Sequence, residues 1–382
     1  MKLAFFTDTF LPQINGVTKT LDKLTAYCER WSIDYKVFAP ADKEEIGDYR
    51  EEKVNRFSSC NFFLYPECKL AAPNYFKIKK ELDQYQPDLI HLVTPFSMGL
   101  CGLRYARKSN TPLVASYHTN FTHYLDYYNL EFLEDFFWKF FRWVHGFSQL
   151  NLCPSQVTKE KLAEQGIANL EIWGRGVNTD RFNPSFYEQV VKKKYGLEDK
   201  LILLYVGRLA REKNLELLVE SLKELNSIYQ EKIELVITGD GPLREQLEAD
   251  SPANVTFTGY LSGEELSQIY ATADIFTFPS VTETYGNVVL EAMASGLPVV
   301  GILKGGVKEN LVDGYNGLAC QQNSKEEFKR QLEKLIKNNN LRRKLAGNAY
   351  QHARENSWQQ VFHRLFANYR RVIGSENRKI VV

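Results

Sequence analysis

No hydrophobic run in this chain is long enough to cross a membrane, and its opening Met1-Lys2-Leu3-Ala4-Phe5-Phe6-Thr7-Asp8 reaches a carboxylate too soon for a signal peptide. A cytoplasmic protein is expected. The six cysteines, Cys28, Cys60, Cys68, Cys101, Cys153 and Cys320, form no Cys-x-x-Cys pair and no histidine-containing metal spacing. That argues against a zinc site or a disulfide frame and suits reduced thiols. Charge of one sign is also lacking: 48 Lys and Arg against 47 Asp and Glu leave a net +1. Nothing global draws the chain to nucleic acid or membrane, so a charged partner must meet a local patch. No fixed-period repeat or low-complexity tract occurs, which excludes a solenoid and a disordered tail. There is no GxGxxG fingerprint and no GxxxxGK(S/T) loop, so hydride transfer and ATP hydrolysis lose ground. No cofactor is expected.

What the chain has is length, apolar content and alternation. Its 382 residues, 44% hydrophobic and 25% charged, describe a globular protein large enough for two cores. Short apolar runs such as Lys2 to Thr7, Tyr35 to Ala39, Asp88 to Val93 and Pro112 to Ser116 alternate with helical patterns, as in parallel sheets covered on both faces. From Val177 to Asp199 the pattern lapses, and Leu201-Ile202-Leu203-Leu204-Tyr205-Val206-Gly207 begins a second alternation. The expected architecture is α/β: two doubly wound, Rossmann-like domains, 1–178 and 199–356, joined by a linker at 179–198. A final helical pattern from Ser357 to about Ile373 either caps the second domain or crosses back onto the first.

Ligands of doubly wound sheets bind beyond the carboxyl ends of the strands, so the loops after apolar runs are where chemistry is sought. The most informative is Glu283-Thr284-Tyr285-Gly286-Asn287-Val288-Val289-Leu290-Glu291, after the apolar run Asp274 to Phe278. A helix starting near Gly286 would aim free N–H groups and its positive dipole end at a phosphate. Glu283 would lie beside that phosphate, and Glu291 could accept hydrogen bonds from a ribose diol. Two glutamates around a helix start also serve as ordinary dipole partners or a solvated face, and the pair alone does not choose.

The company it keeps favours a site. Arg208 and Lys213 follow a buried strand in Gly207-Arg208-Leu209-Ala210-Arg211-Glu212-Lys213-Asn214, and a planar Arg fork with a mobile Lys suits a diphosphate. Asn15-Gly16 opens the helix after the first strand, where a glycine lets backbone approach an anion; an ordinary Asn-Gly turn reads the same way. His118 ends Ser116-Tyr117-His118-Thr119 at a third strand end, a place for chemistry or for one structural hydrogen bond.

Asn15-Gly16-Val17, His118-Thr119, Gly207-Arg208-Leu209 with Lys213, Gly239-Asp240-Gly241-Pro242, and Glu283 through Glu291 followed by Ala292-Met293-Ala294-Ser295-Gly296-Leu297-Pro298 run in order over nearly the whole chain. The set resembles family 4 of the retaining glycosyltransferases, nearest the GDP-mannose-dependent alpha-mannosyltransferase and glycolipid glycosyltransferase branch. The resemblance implies the GT-B fold, with its two domains facing across a cleft and the last helix, about 357–375, crossing back. It implies that Gly16 approaches the donor phosphate, that Arg208 and Lys213 bind the diphosphate, and that Glu283 holds sugar hydroxyls. The amides of Tyr285, Gly286, Asn287 and Val288 would meet phosphate or sugar, Glu291 the ribose, and His118 the sugar near its reacting face. Gly239, Gly241 and Tyr260 would border the base. GDP-mannose is the first donor implied and UDP-glucose the second, with a lipid or glycan hydroxyl as acceptor. Related enzymes of another fold use a metal held by Asp-x-Asp; this chain contains no Asp-x-Asp, so metal-independent transfer is expected.

Glu131 to Leu150 is rich in aromatics. The stripe Leu133, Phe136/Phe137, Phe140, Val144, Phe147 has core spacing, whereas Trp138 and Trp143 fall beside Lys139 and Arg142, as at a lipid headgroup boundary. With Lys77, Lys79 and Lys80 in the same domain, this suggests peripheral contact with the anionic inner face of a cell membrane. Competing functions are a nucleotide-sugar epimerase of the same fold and a catalytically silent nucleotide-sugar binding protein.

Overall fold

The structure, a computed structural model, describes residues 1–13, 15–42, 50–61, 69–118, 134–229, 232–282 and 285–379. They form two compact units, one of residues 1–174 and 361–382, the other of residues 175–360.

The first unit is built on strands β1 (Lys2–Phe6), β2 (Asp34–Pro40), β3 (Val54–Phe57), β6 (Leu89–Leu92), β7 (Leu113–Ser116), β8 (Leu150–Cys153) and β9 (Leu170–Ile172), with a short antiparallel ribbon of β4 (Ser59–Asn61) and β5 (Lys69–Ala71). The sheet runs β3-β2-β1-β6-β7-β8-β9, every pairing parallel. The central strands β6, β7 and β8 are buried at every residue, as a sheet covered on both faces requires. Phe6, Phe38, Leu92 and Leu103 belong to the core beneath one layer of helices. On this unit the final helix, Trp358–Lys379, buries Phe362, Phe366 and Tyr369; Phe362 and Phe366 lie against Tyr27, and the Tyr369 hydroxyl is 2.7 Å from His91 Nδ1.

Helix Glu134–His145 buries Val144 and packs Phe137 and Phe140 against the cores, as its spacing suggests, but it also buries residues off that stripe. Trp138, Phe141, Val144 and His145 point inward, Trp138 only 4% exposed, while Phe136 is 65% and Trp143 49% exposed. Trp138 is therefore a core residue, stacked on Tyr117 and close to Phe141, with its indole N–H donating to Glu134. Of the pair Phe136/Phe137, Phe137 packs against the core and Phe136 lies on the surface. Leu133 lies outside the described residues.

The second unit has β10 (Leu201–Val206), β11 (Ile233–Thr238), β12 (Val255–Gly259), β13 (Ile275–Phe278), β14 (Val299–Ile302) and β15 (Gly317–Cys320) in the order β12-β11-β10-β13-β14-β15, all parallel. The stretch 179–198 packs within this unit. Its Phe182, Val191 and Leu197 enter the core, and it forms the helix Gln189–Tyr195. Its polar composition reflects the exposed side of that short helix rather than a free linker. Among the described residues no helix is long and apolar enough to cross a membrane.

Candidate active site

In the second unit the strand order reverses at β10, which has β11 on one side and β13 on the other. At such a point the loops leaving two neighbouring strands part and open a crevice. The loop leaving β10 carries Arg208, exposed, and Lys213, half-buried. Tyr205, buried in β10, donates its hydroxyl to the Arg208 carbonyl at 3.1 Å, which pins the loop from below. The turn Arg211–Lys213 ends at Asn214, left-handed at φ 57°, whose amide donates to the Pro279 carbonyl at 3.2 Å and to Asn323 at 2.8 Å. Ser280 and Thr282 in turn donate to the Glu212 carbonyl. The Lys213 turn is thus tied to the loop leaving β13.

That second loop runs into helix Asn287–Ala294 through Gly286, at φ 70° and ψ 48°. A Cβ here would meet nothing nearer than 3.5 Å, so glycine is required by the left-handed backbone rather than by crowding. Among the described residues no side chain caps this helix start, and the amides of a first turn carry partial positive charge. Tyr285 is fixed at both ends: its hydroxyl donates to the Arg175 carbonyl at 2.9 Å, and its own carbonyl accepts from buried Asn310 at 2.9 Å. Asn316, fully buried, supports Asn310 at 2.8 Å. Further along the helix, Glu291 accepts from the Tyr270 hydroxyl at 3.2 Å. Burial and the Glu291 charge hold the Tyr270 phenol well above its ordinary value, so it remains a donor. Glu283 lies outside the described residues.

Arg208, Lys213, Tyr285, Gly286, Asn287 and Val288 line one cavity of about 340 Å³, together with Arg175, Gly207 and Phe278. Two basic side chains, a third that sequence reasoning missed, and a helix start share its wall. Among the described residues no three His, Cys, Asp or Glu side chains gather as a metal site would need. The chemistry offered is binding of a compact polyanion.

Gly239 and Gly241 stand outside that lining, and the structure gives them a packing role. A Cβ on Gly239, at φ 135°, would lie 1.9 Å from the Gly207 carbonyl oxygen, and one on Gly241 would lie 2.4 Å from that of Leu209. The two loops are zipped together by Leu209 N–H to Asp240 and Leu243 N–H to Leu209 bonds of 2.9 and 3.0 Å. Tyr260, after β12, is 77% exposed. Glu291 and Tyr260 likewise fall outside the cavity lining.

In the first unit the switch point lies between β1 and β6, and Asp8 joins the two loops there. Its buried carboxylate accepts from Thr94 (2.7 Å), Ser97 (2.7 Å) and the Met98 N–H (2.8 Å). Burial nonetheless raises its pKa. Asn15 caps helix Gly16–Arg30 by accepting from Thr18 N–H at 2.9 Å and donates to Thr9 at 2.7 Å, so Gly16 heads an ordered helix start. His118, half-buried just past β7, sits with its ring 4.8 Å from Trp173 at 67°. Trp173 is also 5.4 Å from His91, and His91 is locked between Ser116 (2.6 Å) and Tyr369 (2.7 Å).

Comparison with known proteins decides the family. Residues 14–181 match the model described as Glycosyltransferase Family 4, and residues 188–352 that described as Glycosyl transferases group 1. A GDP-mannose-dependent alpha-mannosyltransferase of Corynebacterium glutamicum is 31% identical over 382 residues, 99% of this chain and 91% of the relative. The chain belongs to glycosyltransferase family 4. An alpha-monoglucosyldiacylglycerol synthase of Streptococcus pneumoniae is 30% identical, covering 78% of this chain and 70% of the relative. The glycosyltransferase also shares its GT-B fold with Anabaena Alr3699/HepE, solved in complex with UDP: TM-score 0.70 at 18% identity, over 96% of this chain and 99% of that one.

Several residues that shape this glycosyltransferase carried no motif. Asn214, Asn310 and Asn316 work through side-chain amides bonded to loop backbone, Asp8 through three donors supplied from 86 to 90 residues away, and Trp173 through its ring. Only an asparagine-rich turn such as Asn310 to Asn316 hinted at them.

Proposed function

We propose that this enzyme transfers a hexose, mannose first and glucose second, from a nucleoside diphosphate sugar to a hydroxyl of a lipid or glycan. The observation that carries the reading is the cavity in which Arg208, Lys213 and the start of helix Asn287–Ala294 meet. As the bond from the anomeric carbon to the phosphate oxygen breaks, its electron pair passes to that oxygen. Fixed cations and amide dipoles already aimed there stabilise the charge without reorganising, the role a metal fills elsewhere. The acceptor hydroxyl attacks from the leaving-group face, its proton going to the departing phosphate oxygen, which retains the anomeric configuration. Glu283 holds sugar hydroxyls, Glu291 the ribose, Gly16 the phosphate, and His118 the sugar near its reacting carbon. Gly239, Gly241 and Tyr260 border the base.

Mannose and glucose are supported by the names of the relatives above. A lipid acceptor is supported by a basic and aromatic surface on the first unit. Arg104 stacks on Tyr75 at 4.2 Å and Arg107 on Phe147 at 4.1 Å, with exposed Phe76 and Trp143 adjoining. Lys139 and Arg142 are exposed on the helix that carries Phe136 and Trp143. Such a surface suits the anionic inner leaflet, and the free thiols Cys28, Cys60, Cys101, Cys153 and Cys320 suit the cytoplasm.

The test is incubation with GDP-mannose or UDP-glucose and a diacylglycerol acceptor, after a thermal-shift panel of GDP- and UDP-sugars. A ligand at 100 times its Kd stabilises by about 2.7 kcal/mol. A glycolipid product supports the reading. Epimer formation, or donor binding without transfer, would contradict it. In parallel, Phe136→Ser with Trp143→Ser should reduce sedimentation with anionic vesicles at low salt.

A further inference from the structure

Arg175 is unaccounted for by any motif in the chain. It lines the cavity of Arg208 and Lys213, half-buried, and among the described residues no carboxylate pairs with its guanidinium. We infer that Arg175 is a third cation of the donor diphosphate site and that Tyr285 is its positioning residue. The inference rests on the functional reading above and extends it to a residue and a contact outside that reading.

The backbone around Arg175 is held on both sides. Two residues on, Val177 is bridged to the segment before the final helix: its N–H donates to Asn356 at 3.0 Å, and its carbonyl accepts from Trp358 at 3.1 Å. Between them Gly176 passes so close to Trp358 that a Cβ would lie 2.6 Å from its nitrogen. On the other side the Arg175 carbonyl accepts the Tyr285 hydroxyl at 2.9 Å. The clamped backbone fixes where the side chain starts, and a guanidinium's planar fork takes two oxygens of one phosphate.

Burial pulls the Arg175 guanidinium below its ordinary value, with the Tyr285 phenol acting the other way. A cation in that setting gains most from an anion that enters the cavity, because water screens it least. The diphosphate of a sugar donor is such an anion, and it gains charge when the anomeric bond breaks. Arg175 therefore contributes to binding the nucleoside diphosphate and more to the transition state, while the nucleoside part of the ligand does not depend on it. Tyr285 belongs to the same loop as the Gly286 helix start, so its hydroxyl links the position of Arg175 to that of the amides facing the same ligand.

The test is calorimetric titration of wild-type enzyme, Arg175→Gln, Arg175→Lys and Tyr285→Phe with GDP and UDP, and with guanosine and uridine, at two salt concentrations. Circular dichroism confirms folding. Arg175→Gln should lose about 10- to 100-fold in affinity for the diphosphate and show weaker salt dependence, with nucleoside affinity unchanged. Arg175→Lys should recover part of the loss, and Tyr285→Phe should lose about three- to tenfold for the diphosphate alone. Wild-type affinity and salt dependence in Arg175→Gln, or equal losses for nucleoside and diphosphate, would overturn the inference and leave the functional reading standing. If Arg175→Gln does not fold, equal diphosphate affinity in Arg175→Lys, Tyr285→Phe and wild type overturns it. A wild-type enzyme that binds neither diphosphate overturns both.

Discussion

Tyr270, wholly buried beneath helix Asn287–Ala294, donates its hydroxyl to the Glu291 carboxylate at 3.2 Å. The contact holds one carboxylate oxygen and orients the other, which the proposed ribose contact would need in a fixed place. Tyr270→Phe keeps the ring against Phe182 and Phe276 and removes only the donor. Nucleoside affinity should fall by about 1 kcal/mol, roughly fivefold, with stability little changed. Titration with GDP, UDP and their nucleosides checks this: equal losses for nucleoside and diphosphate are expected.

Trp173 packs against both His91 and His118, meeting the latter's ring in an edge-type contact. If His118 acts at the sugar as proposed, Trp173→Leu should lower kcat by about tenfold with the donor Kd unchanged, since a small misplacement of such a group costs turnover before affinity. Steady-state kinetics paired with donor titration separates the two.

Gly239→Ala forces a Cβ against the Gly207 carbonyl. It should destabilise the second unit by about 2 kcal/mol or more and displace the Arg208 loop, lowering Tm and turnover together. Tyr260→Ala, at an exposed ring, should leave stability within about 0.5 kcal/mol and weaken nucleotide binding severalfold. Thermal melts with donor titration distinguish a packing glycine from a base-facing tyrosine.

Acid should destabilise the first unit through His145. Burial pushes its pKa from 6.5 down to about 4, so the folded state keeps it neutral while the unfolded chain protonates it. Stability is therefore fully present above about pH 6.5 and lost as pH falls through about 4, a change of about 3 kcal/mol. Buried His91, also pushed down, adds in the same direction; Asp8, raised by burial, opposes it, its contribution present in acid and lost as pH rises. In His145→Gln the fall in unfolding free energy between pH about 7 and about 4.5 should shrink. An unchanged slope would show that His145 does not titrate as described.

The fold was legible because buried parallel strands write themselves as apolar runs. Leu201 to Val206 and Leu113 to Ser116 fall where their sequences suggest. Arg208, Lys213 and the Gly286 helix start were legible for a related reason: each lies in the loop that follows such a run. What escaped was set by partners distant in sequence. Arg175 reaches the cavity through Tyr285, 110 residues on. Trp138, expected at the surface, is buried because Tyr117 and the neighbouring layer cover it, which the helix's own spacing does not show. The polar stretch 179–198 looked like a linker because its buried residues, Phe182, Val191 and Leu197, are too widely spaced to form a run.

The central claim is that Arg208 and Lys213 stabilise a departing nucleoside diphosphate. Single-turnover transfer from the donor that stabilises the wild-type enzyme, with Arg208→Ala beside it, tests this most directly. The account predicts a folded variant whose transfer rate falls by about two to three orders of magnitude, with the donor still bound at high concentration. Transfer by Arg208→Ala at a rate near that of the wild type would contradict it.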